Sequence, residues 1–254
     1  MRAFMDRGIH VSFIAEHIGT LGSLPLTNTL LMSWVVVALV GIFVFLCYSR
    51  LVLRPRAGQV GIELFFGSIF TYVEETLEST ALARRYFPLL STIFIFIFLA
   101  NLLEFFPGVG SIGVWQYHEG ERVLTPLLRS MNTDLNMTIA IALISFLAIE
   151  LSGILTIGFF KYGSRFLNFH SFVGFFVGII EFFSELIRLI SFSFRLFGNI
   201  FAGEVLLVVV ASFVPYFLPV PFMLFEVFVG FMQAAIFSLL TLFFIKMAIT
   251  EPEH

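Results

Sequence analysis

"SFSFRLFGNIFAGE" (Ser191–Glu204) sets an arginine and a glutamate inside a run of Phe, Leu, Ile, Gly and Ala. A permanent cation is costly there: insertion scales put a central Arg at roughly 2.5–3.5 kcal/mol. The apolar run around it extends from Phe172 to Val214 without a proline. As a helix it would be ~65 Å long, about twice the ~30 Å hydrocarbon core of a bilayer. Beyond Pro215, Pro219 and Pro221, a second run covers 222–250, or ~44 Å. Several short broken spans would fit, and so would two long, strongly tilted helices. The polar residues favour the second reading. Glu181, Ser184, Arg188, Ser191, Arg195 and Asn199 recur at intervals of three or four, which keeps them on one helical face. A break near Arg195 would scatter that stripe.

The rest of the chain agrees with a membrane setting. Of 254 residues, 59% are hydrophobic and only 12% charged, with 36 phenylalanines; the mean hydropathy is +1.02. No soluble domain of this length needs so much apolar surface. Long unbroken runs indicate helices and exclude the short alternating strands of a membrane barrel. The single Cys47 excludes a disulfide framework, and a net charge of −3 leaves no footprint for nucleic acid. The N-terminus lacks the apolar core of a cleavable signal, so insertion through the chain's own helices is expected.

Further spans are expected at about 28–50, 87–106 and 135–160, giving about five in an all-α integral membrane protein. Residues 1–27 then form an external segment, and 28–254 a single membrane domain. Arg50, Arg54, Arg56, Arg84 and Arg85 lie between the first two spans, and Lys161 and Arg165 follow the third. The positive-inside rule makes those loops cytoplasmic and the loop 107–134 external. Its Arg122 and Arg129 are accompanied by Glu119, Glu121 and Asp134. Between the first two spans, about 60–83 reads as an interfacial amphipathic helix: Glu63, Thr71, Glu74, Glu75 and Glu78 lie near one face, and Phe65, Phe66, Ile69, Phe70, Val73 and Leu77 elsewhere. An acidic face suits a protein neighbour better than an anionic lipid surface.

Glu204 follows Arg195 by nine residues, about half a turn off the Arg195 stripe. Glu226 and Gln233 are seven apart and share a face of the last helix. The small pairs Gly198/Ala202 and Gly230/Ala234 would admit close approach of another helix. "RLFGNIFAGE" followed by "FEVFVGFMQAAIFSLLTLFF" resembles subunit a of the rotary F-type ATP synthases, bacterial type. "NLLEFFP" (101–107) and "TDLNMT" (133–138) resemble motifs of that family's second and third spans.

The resemblance implies a proton-translocating stator with no nucleotide site or cofactor of its own. Its partners would be the c-ring rotor, the peripheral-stalk b subunits and membrane lipid. The translocated ion would be H⁺, with Na⁺ the alternative, and the location the bacterial plasma membrane rather than the mitochondrial inner membrane. Arg195 corresponds to the family's essential arginine and Asn199 to the asparagine one turn on. Glu204, Glu226 and Gln233 match polar positions of the ion path and of the arginine's partner helix. Asn101, Glu104, Asp134 and Asn136 match positions lining the outward-facing half-channel. Glu181, Ser184, Arg188 and Ser191 are candidates for the inner one. Many bacterial members carry His where this chain has Glu226, and mitochondrial ones carry His at the Glu204 position. Glu150 matches no motif; it is either a third-span channel group or a buried neutral carboxyl.

The chemistry of these residue types fits that role. A guanidinium does not deprotonate in proteins, so it attracts a rotor carboxylate without relaying a proton. Other classes fit poorly. A self-contained transporter predicts internal repeats, and the chain has none. A haem or quinone subunit needs histidines in its spans, but His10, His17, His118, His170 and His254 lie in loops or termini. No phosphate-binding G-x-x-x-x-G-K-[ST] loop is present. The expected topology is testable: a cysteine at Ser111 should react with an impermeant thiol reagent from outside, and one at Ser164 should not. The reverse pattern would invert the orientation.

Overall fold

The computed structural model describes residues 15–21, 24–49, 52, 57–105, 109, 113–118, 121–164, 166, 172–214 and 217–250. Among the described residues, five helices are long and apolar enough to cross a membrane: α1 (Asn28–Ser49), α3 (Thr80–Glu104), α4 (Leu135–Ile157), α6 (Phe172–Phe213) and α7 (Pro219–Ile249). Two further helices are α2 (Ala57–Leu77) and the short α5 (Phe159–Gly163). The chain is an all-α integral membrane protein, with two small antiparallel hairpins beside the helices. Strands β1 (His17–Leu21) and β2 (Leu24–Thr27) form one hairpin, and β3 (Gly113–His118) and β4 (Glu121–Pro126) the other. His17 and His118 thus stand in strands. His10, His170 and His254, and the basic residues Arg50, Arg54, Arg56 and Arg165, lie outside the described residues.

The expected boundary between the interfacial helix and the second span is corrected. Residues 80–83 belong to α3, which starts well before Phe87, and α2 ends at Leu77. The cause lies at two residues. Glu78 has φ +54, the left-handed region that a non-glycine residue adopts at a cost, and Ser79 then caps α3 by accepting from Leu82 N at 3.4 Å. Lys246 Nζ, at the end of α7, donates to Glu78 Oε1 at 2.8 Å and holds that turn. The hydrogen bond and the ammonium's charge keep the Glu78 carboxyl below its ordinary range. The pair is therefore intact above the usual carboxylate range and is lost as pH falls through the lowered value. Helix α2 lies on α3 through aromatic edges, with Phe66 and Phe70 centroids 6.5 and 5.3 Å from that of Phe87.

The third span ends where Gly158 takes φ +95, and α5 folds back. Tyr162 OH then donates to Glu150 Oε2 at 3.0 Å, which gives the unmatched carboxyl of the sequence a partner inside the chain. Helix α6 is continuous over 42 residues, so the stripe containing Arg195 is unbroken. Pro219 and Pro221 lie in the first turn of α7, where the missing N–H costs little. That helix therefore starts earlier than the expected residue 222, and Pro215 lies outside the described residues.

Helix α7 is the hub, packing on α3, α4 and α6. Ile97, Leu196, Ile200, Phe237, Leu242 and Ile245 are fully buried around it, and the Phe192 and Phe237 rings lie 4.8 Å apart. Helix α1, by contrast, buries only Asn28, Thr29, Met32, Ser33 and Val36. A side chain at Gly153 would run into the Tyr162 ring. Gly153→Ala should therefore destabilise the protein by ~1–3 kcal/mol through overpacking. In a Tyr162→Ala background the same change should stabilise, by up to ~1 kcal/mol of helix propensity. Thermal midpoints in detergent measure both, and the same sign in both backgrounds would contradict this packing.

Candidate functional site

The polar residues of the sequence divide between an open face of α6 and a buried seam where α3 ends and α7 begins. Ser184, Ser191, Arg195 and Asn199 are all exposed, and Ala202 and Leu206 continue their line. A Cβ at Gly198 would meet nothing within 4 Å, so this stretch of α6 is uncovered by its own chain. Among the described residues, no hydrogen bond or ion pair engages Arg195. Asn199, one turn on, reaches back into the bundle, where its Nδ2 donates to Gln233 Oε1 of α7 at 2.8 Å. Arg188 departs from the expected stripe. Its guanidinium turns aside to Glu185 Oε2 at 2.5 Å and sits 3.9 Å over the Phe244 ring, tying α6 to α7. Glu181 lies at the flank of the open face, half-buried.

The seam is assembled from four elements. Asn101 (1% exposed) donates from Nδ2 to the Gly230 carbonyl at 3.0 Å and accepts from Asn132 Nδ2 at 2.6 Å. Glycine is needed at 230, since a Cβ there would lie 2.8 Å from the Asn101 Cβ. Glu226 (5% exposed) points across the bundle at Gly203, where any Cβ would overlap its carboxylate. Glu204, the next residue of α6, accepts from Arg129 NH2 at 3.2 Å. Glu104, closing α3, lies within electrostatic range of Glu204, Glu226 and Arg129. Asn132 Oδ1 and Gln233 Nε2 are buried with no hydrogen-bonding partner among the described residues, and Ser130 Oγ faces the Glu104 carboxyl.

Two expected residues stand apart. Asp134 caps α4, its Oδ1 accepting from Asn136 N at 3.0 Å and its Oδ2 from Thr29 of α1 at 3.0 Å. Asn136 is exposed, away from the buried seam. Arg129, Ser130, Asn132 and Glu185 were not among the expected site residues. Glu185 was findable as the carboxylate three residues before Arg188; the others lie in a loop whose sequence carries no periodic signal.

The fold and the site define a polytopic helical membrane protein with a lone cation on an open helix face and a carboxylate-lined seam about half a turn behind it. The family described as "ATP synthase A chain" matches residues 30–246. The ATP synthase subunit a of Moorella thermoacetica is 32% identical over 225 residues, 89% of this chain and 92% of that protein. That of Campylobacter concisus is 30% identical over 213 residues, covering 84% and 86%. That of Campylobacter jejuni strain 81-176 is 32% identical over 220 residues, covering 86% and 89%. This chain belongs to the ATP synthase A chain family.

The Gly203–Glu226 contact can be tested without any assay of function. Gly203→Ala should lower the thermal midpoint of the detergent-solubilised protein, at a cost of ~1–3 kcal/mol. Adding Glu226→Ala should relieve most of that loss, because it removes the obstructing carboxylate. Strict additivity of the two changes would contradict the contact.

Proposed function

We propose that this chain is the ion-translocating stator subunit of a bacterial ATP synthase, lodged in the plasma membrane against a ring of c subunits. It is not catalytic by itself. The c-ring carboxyls would pass along the open face of α6, with α6 and α7 tilted in the membrane to follow the ring. Peripheral-stalk b subunits and lipid would cover other exposed helices, such as α1. The translocated ion is H⁺.

One observation carries this reading: Arg195 is a permanent charge in mid-helix, exposed, with no partner among the described residues. Inside a membrane such a group needs a counter-charge, and a passing rotor carboxylate provides one. An opposite charge within a few ångströms favours the ionised carboxylate. The ion is thus released on one side of the arginine and rebound on the other. The seam of Glu104, Glu204, Glu226, Asn101 and Gln233 would be the outer half-channel, its orphaned polar atoms satisfied by water. Ser184 and Ser191, with Glu181 beside them, would line the inner one. Each proton falling through 100 mV supplies ~2.3 kcal/mol, which the offset between the two paths converts into rotation.

Arg195→Ala complexes should assemble but lose ATP-driven acidification at least ~100-fold, the scale of deleting a fixed electrostatic group. Arg195→Lys should also fail, because an ammonium enclosed between α6 and the rotor can deprotonate and lacks the planar fork. Vesicles assayed for acidification and for passive leak under an imposed gradient measure both. A purely structural arginine would instead reduce the amount of complex, leave the survivors coupled and be partly rescued by Lys. Normal acidification by assembled Arg195→Ala complexes would overturn the proposal.

A further inference from the structure

The seam holds a second arginine that the mechanism above does not use. Arg129 comes from the segment before α4, and its side chain is 10% exposed. It pairs with Glu204 at 3.2 Å and lies within electrostatic range of Glu104. Without it, Glu104, Glu204 and Glu226 would bring as many as three carboxylates into one confined region. The buried Ser130 hydroxyl faces Glu104, and the buried Asn132, bonded to Asn101, has an unpartnered Oδ1. Carboxylate and carbonyl oxygens suit hard metal cations, and clefts lined by one sign of charge concentrate counter-ions ~10- to 1,000-fold.

We infer that Arg129 is the specificity-determining residue of the outer path: its guanidinium occupies the Glu204 carboxylate and keeps metal cations out, while Glu104 and Glu226 remain available to protons. A proton crosses such a region by transfer between carboxyls and water, so it need not displace the guanidinium. A metal ion moves as a whole and must compete with a fixed charge that never deprotonates. The placement supports this division. Glu226 is held at Gly203 and Glu104 closes α3, whereas the Glu204 carboxylate is the one paired with Arg129. The inference rests on the proposed half-channel.

The test uses the whole ATP synthase reconstituted in vesicles, making ATP from an imposed pH gradient. NaCl or choline chloride is placed on the side that 107–134 faces. The wild-type rate should be the same in both salts. Arg129→Gln should be inhibited by Na⁺, with a half-inhibiting concentration at least about tenfold below that of the wild type. Arg129→Lys keeps the charge and should restore Na⁺ resistance even where its rate is lower. If Arg129→Gln does not assemble, Arg129→Lys and Glu204→Gln decide: both retain the cation, so both must stay Na⁺-resistant. Equal Na⁺ sensitivity of Arg129→Gln and wild type, or Na⁺ inhibition of Arg129→Lys, would overturn the inference. Arg195→Ala run alongside separates the two levels. Normal synthesis by that variant would remove the half-channel reading itself, whereas its loss with an unchanged Na⁺ response in Arg129→Gln removes only the role of Arg129.

Discussion

Polar groups inside an apolar helix bundle must be met by other polar groups, since no water is present in hydrocarbon to replace a missing partner. Much of this architecture follows from how that demand is met. Asn101 reaches the Gly230 carbonyl because glycine lets α3 and α7 approach, and Glu226 reaches α6 because Gly203 leaves room for its carboxylate. Asn199 meets Gln233, Thr138 meets Ser193, and Thr29 meets Asp134. These contacts tie α1, α3, α4, α6 and α7 to one another through polar pairs. Arg195 is left over: it lies on the face that the chain itself does not cover.

The two arginines differ in what surrounds them. Arg129 is paired with a carboxylate of its own chain, and Arg195 has no such partner among the described residues. A cation already paired changes the field of a site, whereas one without a partner is available to a moving carboxylate. Arg188 is a third case, committed to Glu185 and the Phe244 ring and so fixing α6 against α7. Similar residue types on one helix thus serve packing at Arg188 and an exposed charge at Arg195. Only the structure separates them.

Length and apolar composition made the five long helices legible, and the three-and-four spacing around Arg195 made the continuity of α6 legible. The turn at Glu78 was not, because neither Gly nor Pro marks it: the break depends on a left-handed glutamate held by Lys246, 168 residues away. The β3–β4 hairpin was not legible beyond the short turn signal in "VWQYHEGERV", because its two six-residue strands show no strict alternation of apolar and polar residues. Resemblance supplied Glu204 and Glu226, but not the proximity of Arg129 to Glu204, which lies 75 residues further along the chain. Asp134 and Asn136 show the opposite limit. Matching a motif position did not say that the one caps α4 and the other faces outward.

The most direct measurement of the central claim is disulfide cross-linking between α6 and the rotor helix that carries the exchanging carboxyl. Cysteines at Ser191 and Leu206, both exposed, should cross-link to a cysteine placed near that carboxyl. Cysteines at Phe192 and Ile200, buried against the rest of this chain, should not. Cross-links from the buried pair, or none from the exposed pair in assembled complexes, would contradict a rotor running along the Arg195 face.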